Sequence, residues 1–454
     1  MRVLLLSGGS GKRLWPLSNQ VRSKQFLKLL KDEDGQSESM VQRVCRQLES
    51  AGLLSSTHIV TCQNQIEIIN NQIGDQIAIL QEPEQKGTFP SISLAAAFLY
   101  SELHIEPHEI ICVVPVDSFV EPAFFQLLKS VPDILVKSKA DLALLGAAAI
   151  KPSNQYGYIV PKIKDNKNYY PILQFVEKPS QETAGYLIQK NALWNCGVFA
   201  FSLNFMLTNL SNKNLPTDYR HLLAQYDQLP ATSFDYEVAE KTPNSVVIPY
   251  AGLWKDLGSW ETLSGHLESQ VIGNAQLSTD SRNTHIINEL SIPIHVIGIH
   301  NSIIAAGPDG ILIADKDRAS NIKENIKKER PMYEEKRWGS YRILHFSESG
   351  EGMKNLTKSL KLLAGSNTSY HFHLGREEIL TIISGSGEMI LNDKRFAVKA
   401  GDVVKIPSGV RHGIKALSPL EVIEVQLGSV INDVDKIRIT TSWDEAIKWG
   451  HRYE

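Results

Sequence analysis

The sequence has few cysteines and no long hydrophobic run, and each shortage excludes a class of protein. Its four cysteines lie far apart and form no C-x-x-C pair: Cys45, Cys62, Cys112 and Cys196. This spacing excludes a disulfide framework and a zinc knuckle, and it is typical of the reducing cytosol. The apolar run within residues 1–7 is too short for a signal peptide or a membrane span. We therefore expect a soluble, cytoplasmic protein with no membrane partner.

The sequence also lacks an excess of either charge. Its 47 Lys and Arg residues against 50 Asp and Glu residues give a formal net charge of −3. Nucleic-acid-binding proteins usually carry a basic field, so this composition argues against a nucleic-acid partner. At 454 residues the chain is too long for one compact core, and we expect two or three domains.

The order of apolar and polar segments predicts three regions. Over residues 1–265, short buried strands alternate with helices, which predicts an α/β domain with a mostly parallel sheet. Residues 266–330 contain short β-like pieces and then a charged linker, so we interpret them as a β-rich connector, with a β-helix as one option. Residues 331–454 contain closely spaced strands with glycine turns, which is typical of an antiparallel barrel.

A glycine-rich stretch, GGSGKRL (8–14), follows the first predicted strand. It fails the Walker A pattern at both ends, and it lacks the third glycine of the dinucleotide fingerprint. It fits a nucleotide loop in which the backbone of Gly8, Gly9 and Gly11 lies against base and sugar while nearby cations bind a triphosphate. A plain strand-to-helix turn is the alternative at this point.

The longer stretch GGSGKRLWPLSNQVRSKQF (8–26) resembles the signature GGxGxRLWPLSRxxxPKQF of mannose-1-phosphate guanylyltransferases, which are sugar-1-phosphate nucleotidyltransferases. Asn19 and Ser23 depart from it, where the family usually has Arg and Pro. Further segments resemble family motifs in family order: EPEQKGTFPSISLAAA (82–97), VVPVDSFV (113–120), QYGYI (155–159), FVEKPS (175–180), LWNCGVFAF (193–201), FDYEVAEKT (234–242) and LWKDLGSW (253–260).

The resemblance implies a Rossmann-like nucleotidyltransferase domain that uses a nucleoside triphosphate, GTP being favoured, and a sugar 1-phosphate to form GDP-mannose. Because two anions must meet, it also implies Mg²⁺, with Asp117 and Asp256 as oxygen ligands. Arg13 is implied in binding the leaving phosphates and Lys24 in neutralising the α-phosphate. The other implied substrate-binding residues are Glu82, Gly157, Glu177, Lys178 and Asn195.

Two segments of the last region have metal-site spacing. GSNTSYHFHLGREEILTIISG (365–385) follows G-x5-H-x-H-x4-E-x6-G, and GDVVKIPSGVRH (401–412) follows G-x5-P-x-G-x2-H; these are the two motifs of a cupin barrel. Histidines two apart on a strand point the same way, and three imidazoles with a carboxylate suit a divalent transition metal such as Zn, Fe, Ni or Mn. The candidate ligands are His371, His373, Glu378 and His412.

The C-terminal region is similar to the phosphomannose isomerase domain of bifunctional guanylyltransferases, through RWGSY (337–341), REE (376–378) and VIEVQLG (422–428). The resemblance implies interconversion of mannose 6-phosphate and fructose 6-phosphate, with Arg438 stabilising the enediolate. His371 departs from it, because the isomerase usually has Gln there.

Three alternatives stay open. The first is a nucleotidyltransferase for another nucleotide or sugar, and the second is a barrel kept only as a sensor or dimer interface. The third is a non-catalytic regulatory protein that binds sugar nucleotides. A homodimer is an open expectation.

Overall fold

The computed structural model describes residues 1–9, 12–163, 168–322, 326, 330–350 and 352–450. Along this part of the chain an α/β region is followed by a short β connector and a β-barrel, which confirms the predicted fold class. Among the described residues no helix combines the length and apolarity needed to cross a membrane.

The strands of the α/β region are β1 (Arg2–Leu6), β2 (Leu30–Lys31), β3 (Ser37–Glu38), β4 (Thr57–Cys62), β5 (Ala78–Glu82), β6 (Ile110–Pro115), β7 (Ser118–Val120), β8 (Leu142–Ala148), β9 (Tyr158–Pro161), β10 (Tyr170–Val176), β11 (Leu193–Ser202), β12 (Ser245–Tyr250) and β13 (Trp254–Asp256). Nine of them form one sheet in the order β5-β4-β1-β6-β11-β8-β12-β10-β9. The sheet is mixed, because β11 runs antiparallel to both β6 and β8. Since β11 is buried on both faces, it has the continuous apolar character of a parallel strand in the sequence.

The helices of this region are α1 (Met40–Ser50), α2 (Gln63–Ile73), α3 (Thr88–Ser101), α4 (Pro122–Leu128), α5 (Val131–Ser138), α6 (Gln181–Gln189), α7 (Leu203–Asn212), α8 (Tyr219–Ala224), α9 (Phe234–Glu237) and α10 (Trp260–Ser264). A capping box of Ser39 and Gln42 begins α1. Helix α3 is apolar on nearly every side and is buried accordingly. Two core clusters, one on each face of the sheet, result.

The topology brings the candidate nucleotide residues to one edge of the sheet. Strands β5, β4, β1 and β6 are parallel, so their carboxyl ends share that edge. Gly8 follows β1, Glu82 ends β5 and Asp117 follows β6. Strand β13 pairs with β7 so that Asp256 lies opposite Ser118.

The connector contains β14 (Val271–Gly273), β15 (Ala275–Leu277), β16 (His285–Asn288), β17 (Ile294–Val296), β18 (Ser302–Gly307) and β19 (Gly310–Asp315). Strands β14, β16 and β18 stack in parallel, β15 stacks on β17, and β19 closes the larger sheet antiparallel to β18. Between the two small sheets Ile286, Val296 and Ile304 form a core. This arrangement is a short β-helix, the option left open by the sequence.

The barrel strands are β20 (Tyr333–Lys336), β21 (Gly339–Glu348), β22 (Lys354–Leu362), β23 (Tyr370–His373), β24 (Arg376–Ser384), β25 (Ser386–Leu391), β26 (Lys394–Lys399), β27 (Val403–Ile406), β28 (His412–Ala416), β29 (Leu420–Gly428) and β30 (Lys436–Thr440). They form sheets in the orders β20-β21-β22-β29-β24-β27 and β26-β25-β28-β23-β30. Helix α11 (Trp443–Gly450) covers one end, where Trp443 packs against Tyr370.

Candidate functional site

Lys24 lies between the two carboxylates expected to hold Mg²⁺. Its Nζ is 2.7 Å from Asp117 Oδ2 and 2.7 Å from Asp256 Oδ1. Burial alone would lower the pKa of Lys24, but the two carboxylates outweigh it and raise that pKa. A Cβ at position 258 would lie 2.8 Å from Asp256 Oδ1, so Gly258 leaves room for this group. The structure therefore brings together three of the residues singled out in the sequence.

The glycine loop runs beside this group. The hydroxyl of Ser23 donates to the carbonyl of Gly9 at 2.6 Å, which holds the loop against the segment that carries Lys24. Arg13 is exposed in the 3-10 turn Lys12–Leu14. Burial opposes the ionisation of Asp117, but Lys24 and, to a smaller extent, Arg13 lower its pKa. Gly11 lies outside the described residues.

Glu82 faces the loop from the end of β5. It is 2% exposed, and its Oε2 accepts hydrogen bonds from the hydroxyls of Ser91, at 2.5 Å, and Tyr226, at 3.1 Å. Its Oε1 would lie 3.5 Å from a Cβ on Gly8, so this oxygen points at the glycine backbone. Burial raises the pKa of Glu82. A carboxylate oxygen is thus available next to the loop.

A second group of polar residues gathers where β9, β10 and β11 meet. Lys178 Nζ lies 2.6 Å from Glu177 Oε1, and the other carboxylate oxygen of Glu177 is buried with no hydrogen-bond partner among the described residues. A Cβ at Gly157 would collide with that oxygen and lie 3.3 Å from Asn195 Cβ. Only glycine therefore allows these two side chains their positions.

Asp235, for which the sequence motifs predicted no role, completes this group. The Asn195 amide donates to its Oδ1 at 2.7 Å, and burial raises its pKa. A sequence signal for Asp235 existed, because FDYEVAEKT (234–242) resembles a family motif. That resemblance was not translated into a role for any residue of the segment.

In the barrel, the predicted ligands come together as expected. The side chains of His371, His373, Glu378 and His412 are buried, and one ligand atom from each lies within 4.8 Å of the others. Strand β23 supplies the first two, β24 the carboxylate and β28 the last histidine. The cross-strand pairing of His371 with His412 brings the two motifs together.

The hydrogen bonds of these histidines place each Nδ1 against the main chain, and Arg376 Nη2 donates to Nε2 of His373 at 3.1 Å. Each Nδ1 faces a main-chain carbonyl, at 2.7 Å for Ser369, 3.2 Å for Asp435 and 3.0 Å for Val410. A carbonyl only accepts, so Nδ1 carries the proton and Nε2 presents its lone pair. The Nε2 atoms of His373 and His412 each lie 3.1 Å from a carboxylate oxygen of Glu378. With the proton on Nδ1, the imidazole Nε2 atoms and the carboxylate oxygens are both electron-pair donors that face a common point. This donor set fits a divalent transition metal.

Cations and an amide surround the cluster. Arg376 Nε donates to Glu378 Oε1 at 3.1 Å, and the Gln426 amide donates to the same oxygen at 3.0 Å. Strand β30 places Arg438 opposite His371 and Lys436 opposite His373, and Arg438 is exposed. Burial, followed by the charge of Arg438, lowers the pKa of Lys436 to about 8. No role for Lys436 was predicted from the sequence.

Two sequence profiles match this chain. One described as "Nucleotidyl transferase" matches residues 2–268, more than half of the chain. The chain belongs to the nucleotidyl transferase family. A second profile, described as "Cupin domain", matches residues 360–426 of this nucleotidyl transferase, so the predicted cupin is confirmed.

Known proteins match this nucleotidyl transferase over nearly its whole length. It is 28% identical to "Xanthan biosynthesis protein XanB" of Xanthomonas campestris pv. campestris, over 97% of this chain and 98% of the relative. It is 27% identical to "Mannose-1-phosphate guanylyltransferase" of Salmonella muenchen, over 96% and 97%. A solved structure from Thermus thermophilus, titled mannose-1-phosphate geranyltransferase, matches with a TM-score of 0.61 and 25% identity, over 71% of this chain and 97% of that one.

Proposed function

We propose that this nucleotidyl transferase joins GTP to mannose 1-phosphate, with GDP-mannose and pyrophosphate as products. The observation that carries the proposal is Lys24, whose ammonium lies 2.7 Å from an oxygen of both Asp117 and Asp256 beside the glycine loop. This group offers one cation and two anionic ligands where two phosphates must approach each other. The name of the Salmonella relative, mannose-1-phosphate guanylyltransferase, supports mannose 1-phosphate and a guanine nucleotide as substrates.

In the proposed reaction a phosphate oxygen of the sugar 1-phosphate attacks the α-phosphorus of the nucleotide. The bond between that phosphorus and the oxygen bridging to the β-phosphate breaks, and pyrophosphate leaves with its electron pair. Lys24 neutralises charge at the α-phosphate, and Arg13, exposed beside the loop, binds the β- and γ-phosphates through its planar fork. The backbone of Gly8 and Gly9 lies along the nucleoside.

The two aspartates fit Mg²⁺. Burial opposes the ionisation of Asp117, but the ammonium of Lys24 outweighs it and lowers the pKa of Asp117, so the group is an anionic oxygen donor at neutral pH. Asp117 and Asp256 would both be ligands of the same Mg²⁺ ion. When bound, Mg²⁺ supplies neutralisation of the phosphate charge.

Glu82 supports guanine as the base. Its Oε2 is occupied by two hydroxyl donors, whereas its Oε1 faces Gly8. A carboxylate only accepts hydrogen bonds, so it selects a base edge that donates. Guanine offers two adjacent donors, N1–H and the 2-amino group, and adenine, cytosine and uracil do not.

The group around Glu177 supports a sugar phosphate as the second substrate. The partnerless carboxylate oxygen of Glu177 would accept from a sugar hydroxyl, as would Asp235, while the Asn195 amide has a further donor to offer. Lys178, half-exposed next to them, binds the phosphate.

Pyrophosphate release by the full chain tests the proposal. GTP, ATP, UTP, CTP and dTTP would each be combined with mannose, glucose and N-acetylglucosamine 1-phosphates, with and without Mg²⁺. We expect a Mg²⁺-dependent signal confined to GTP with mannose 1-phosphate. Pyrophosphate release with another nucleotide or sugar 1-phosphate would contradict the proposed specificity but would still support nucleotidyl transfer. Silence across the grid from folded protein would favour the regulatory alternative.

For the barrel we propose isomerisation of mannose 6-phosphate and fructose 6-phosphate. Three converging imidazoles and a carboxylate next to the cations of β30 favour it, because that set would hold a metal beside an anionic substrate. A bound metal supplies Lewis-acid chemistry, and Arg438 stabilises the anionic intermediate of the proton transfer. Conversion of fructose 6-phosphate that is lost on chelation and restored by metal would support the proposal; no conversion by metal-loaded protein would refute it.

A further inference from the structure

Three consecutive residues that follow the glycine loop, Arg22, Ser23 and Lys24, point in three directions. Lys24 reaches Asp117 and Asp256, and Ser23 holds the carbonyl of Gly9. Arg22 points away from the candidate nucleotide site, toward the connector and the barrel. Arg22 stands at a position that the family signature leaves open, so the resemblance predicts no role for it.

Arg22 is a buried cation shared by the three regions of the chain. It is 7% exposed, and its guanidinium pairs with both carboxylate oxygens of Glu289 in the connector, at 2.7 and 3.0 Å. Its Nε lies 3.4 Å from Glu335 on the first barrel strand, and the ring of Tyr333 lies 5.1 Å from its Cζ. Glu335 in turn accepts from the Gln72 amide at 3.0 Å.

A second contact ties the same segment to the connector. The Asn19 side chain accepts from the backbone amides of Val21 and Arg22, and it donates to Asp309 at 2.7 Å. The other oxygen of Asp309 accepts from the backbone amide of Met332, directly before the barrel, at 2.6 Å. Residues 19–22 are therefore held from the connector and the barrel, and not only from the α/β region.

We propose that Arg22 is a positioning residue for nucleotide binding, through which the connector and the first barrel strand hold the glycine loop and Lys24 in place. A buried, bidentate guanidinium has a defined orientation. The contacts of Arg22 with Glu289 and Glu335 therefore fix the position of the main chain at Arg22, two residues before Lys24. The candidate nucleotide site is complete only when the connector and the barrel are docked.

The effect is confined to one substrate. The sugar group around Glu177 and Asn195 is carried by β9, β10 and β11. Arg22 instead holds the main chain next to Lys24 and next to Ser23, which is hydrogen-bonded to the glycine loop. Loss of the Arg22 contacts lowers nucleotide affinity and leaves the affinity for the sugar phosphate unchanged. A purely structural role would lower the fraction of active enzyme and change neither constant.

The test uses the full chain and measures the KM of both substrates by pyrophosphate release, and the Kd of Mg²⁺–GTP by calorimetry. For Arg22→Met we expect the KM and Kd of GTP to rise about tenfold. Arg22→Lys keeps the charge and loses the fork, so we expect an intermediate rise. Glu335→Gln, on the barrel side, is expected to act in the same direction even if Arg22→Met fails to fold.

Asn71→Ala is the matched control. The Asn71 amide donates to the carbonyl of Lys336 at 2.8 Å, so it crosses the same boundary without touching the loop, and we expect no change in either KM. The proposal is overturned if Glu335→Gln leaves the GTP constants unchanged, or if both KM values move together. The proposal rests on the proposed nucleotide role of the loop. If the wild-type chain binds no nucleotide, both proposals are refuted. If GTP affinity is lost only in the variants, the positioning role of Arg22 is supported separately from the nucleotide role of the loop.

Discussion

The two candidate sites of this chain have opposite charges at their centres. In the α/β region an ammonium, Lys24, lies between two carboxylates, and its side chain is 20% exposed while Asp117 is 37% exposed. In the barrel a carboxylate, Glu378, lies among imidazoles, and it is 4% exposed. The first site is open with oxygen ligands, and the second is closed with mixed nitrogen and oxygen ligands.

This difference indicates how each site would hold its metal. Mg²⁺ is usually bound by one or two carboxylates together with substrate phosphates, and an open pair of aspartates suits such an ion arriving with the nucleotide. A buried set of three imidazoles and one carboxylate suits a resident transition metal. We therefore expect the barrel metal to survive dialysis and the Mg²⁺ to exchange freely.

The largest expected effect is on the open site. Asp117→Asn removes a charged oxygen ligand and one partner of Lys24, and we expect kcat of nucleotidyl transfer to fall about 1000-fold. Steady-state pyrophosphate release measures it, with the exposed Asp133→Asn as control. If Asp117→Asn leaves the metal content of the barrel unchanged, the two sites are independent. If the barrel metal is lost in the same variant, the two sites are not independent and the contrast between them fails.

The next effect is on the closed site. His412→Ala removes one of four converging ligands, and we expect metal affinity to fall at least about 100-fold, because even changes beyond the ligands cost about 10- to 100-fold. Elemental analysis after dialysis measures the loss. His345→Ala, an exposed barrel histidine, is the control. Full metal occupancy in His412→Ala would contradict the assignment.

A smaller effect concerns the base. Glu82→Gln replaces one accepting oxygen by a donor, so we expect kcat/KM for GTP to fall about 10- to 100-fold. The substitution should weaken discrimination against ATP and leave the barrel untouched. Competition between GTP and ATP in one assay measures the ratio, with the exposed Glu84→Gln as control. An unchanged ratio would show that another group reads the base.

The smallest effect is on the sugar group. Asp235→Asn should raise the KM for the sugar 1-phosphate about tenfold and leave that for GTP unchanged. Burial raises the pKa of Asp235, so on acidification the wild type loses its accepting carboxylate at a higher pH than an ordinary aspartate would. This KM should therefore rise as the pH falls, and the variant should lack that rise. If the KM of Asp235→Asn still rises at low pH, the titrating group is Glu177 instead. Asp227→Asn, at an exposed aspartate, is the control.

The clustering of the candidate barrel ligands was predictable because their geometry is local. Two histidines two residues apart on one strand share a face, and the remaining motif positions follow on neighbouring strands. The mixed sheet was not predictable, since β11 has the same continuous apolar character as a parallel strand. Asp235 lay within a recognised motif, but its contact with Asn195, 40 residues away, has no local signal.

The amino-acid sequence by itself determined the order of the three regions, the glycine loop, the candidate metal ligands of the barrel and the identity of most candidate substrate residues, because these depend on spacing within single strands and turns. Only the tertiary structure decided which of these groups meet. Lys24 reaches Asp256 across 232 residues, and Arg22 reaches Glu289 across 267. Such pairs form because sheet order and domain docking bring distant chain segments together, and no periodicity in the sequence encodes those distances.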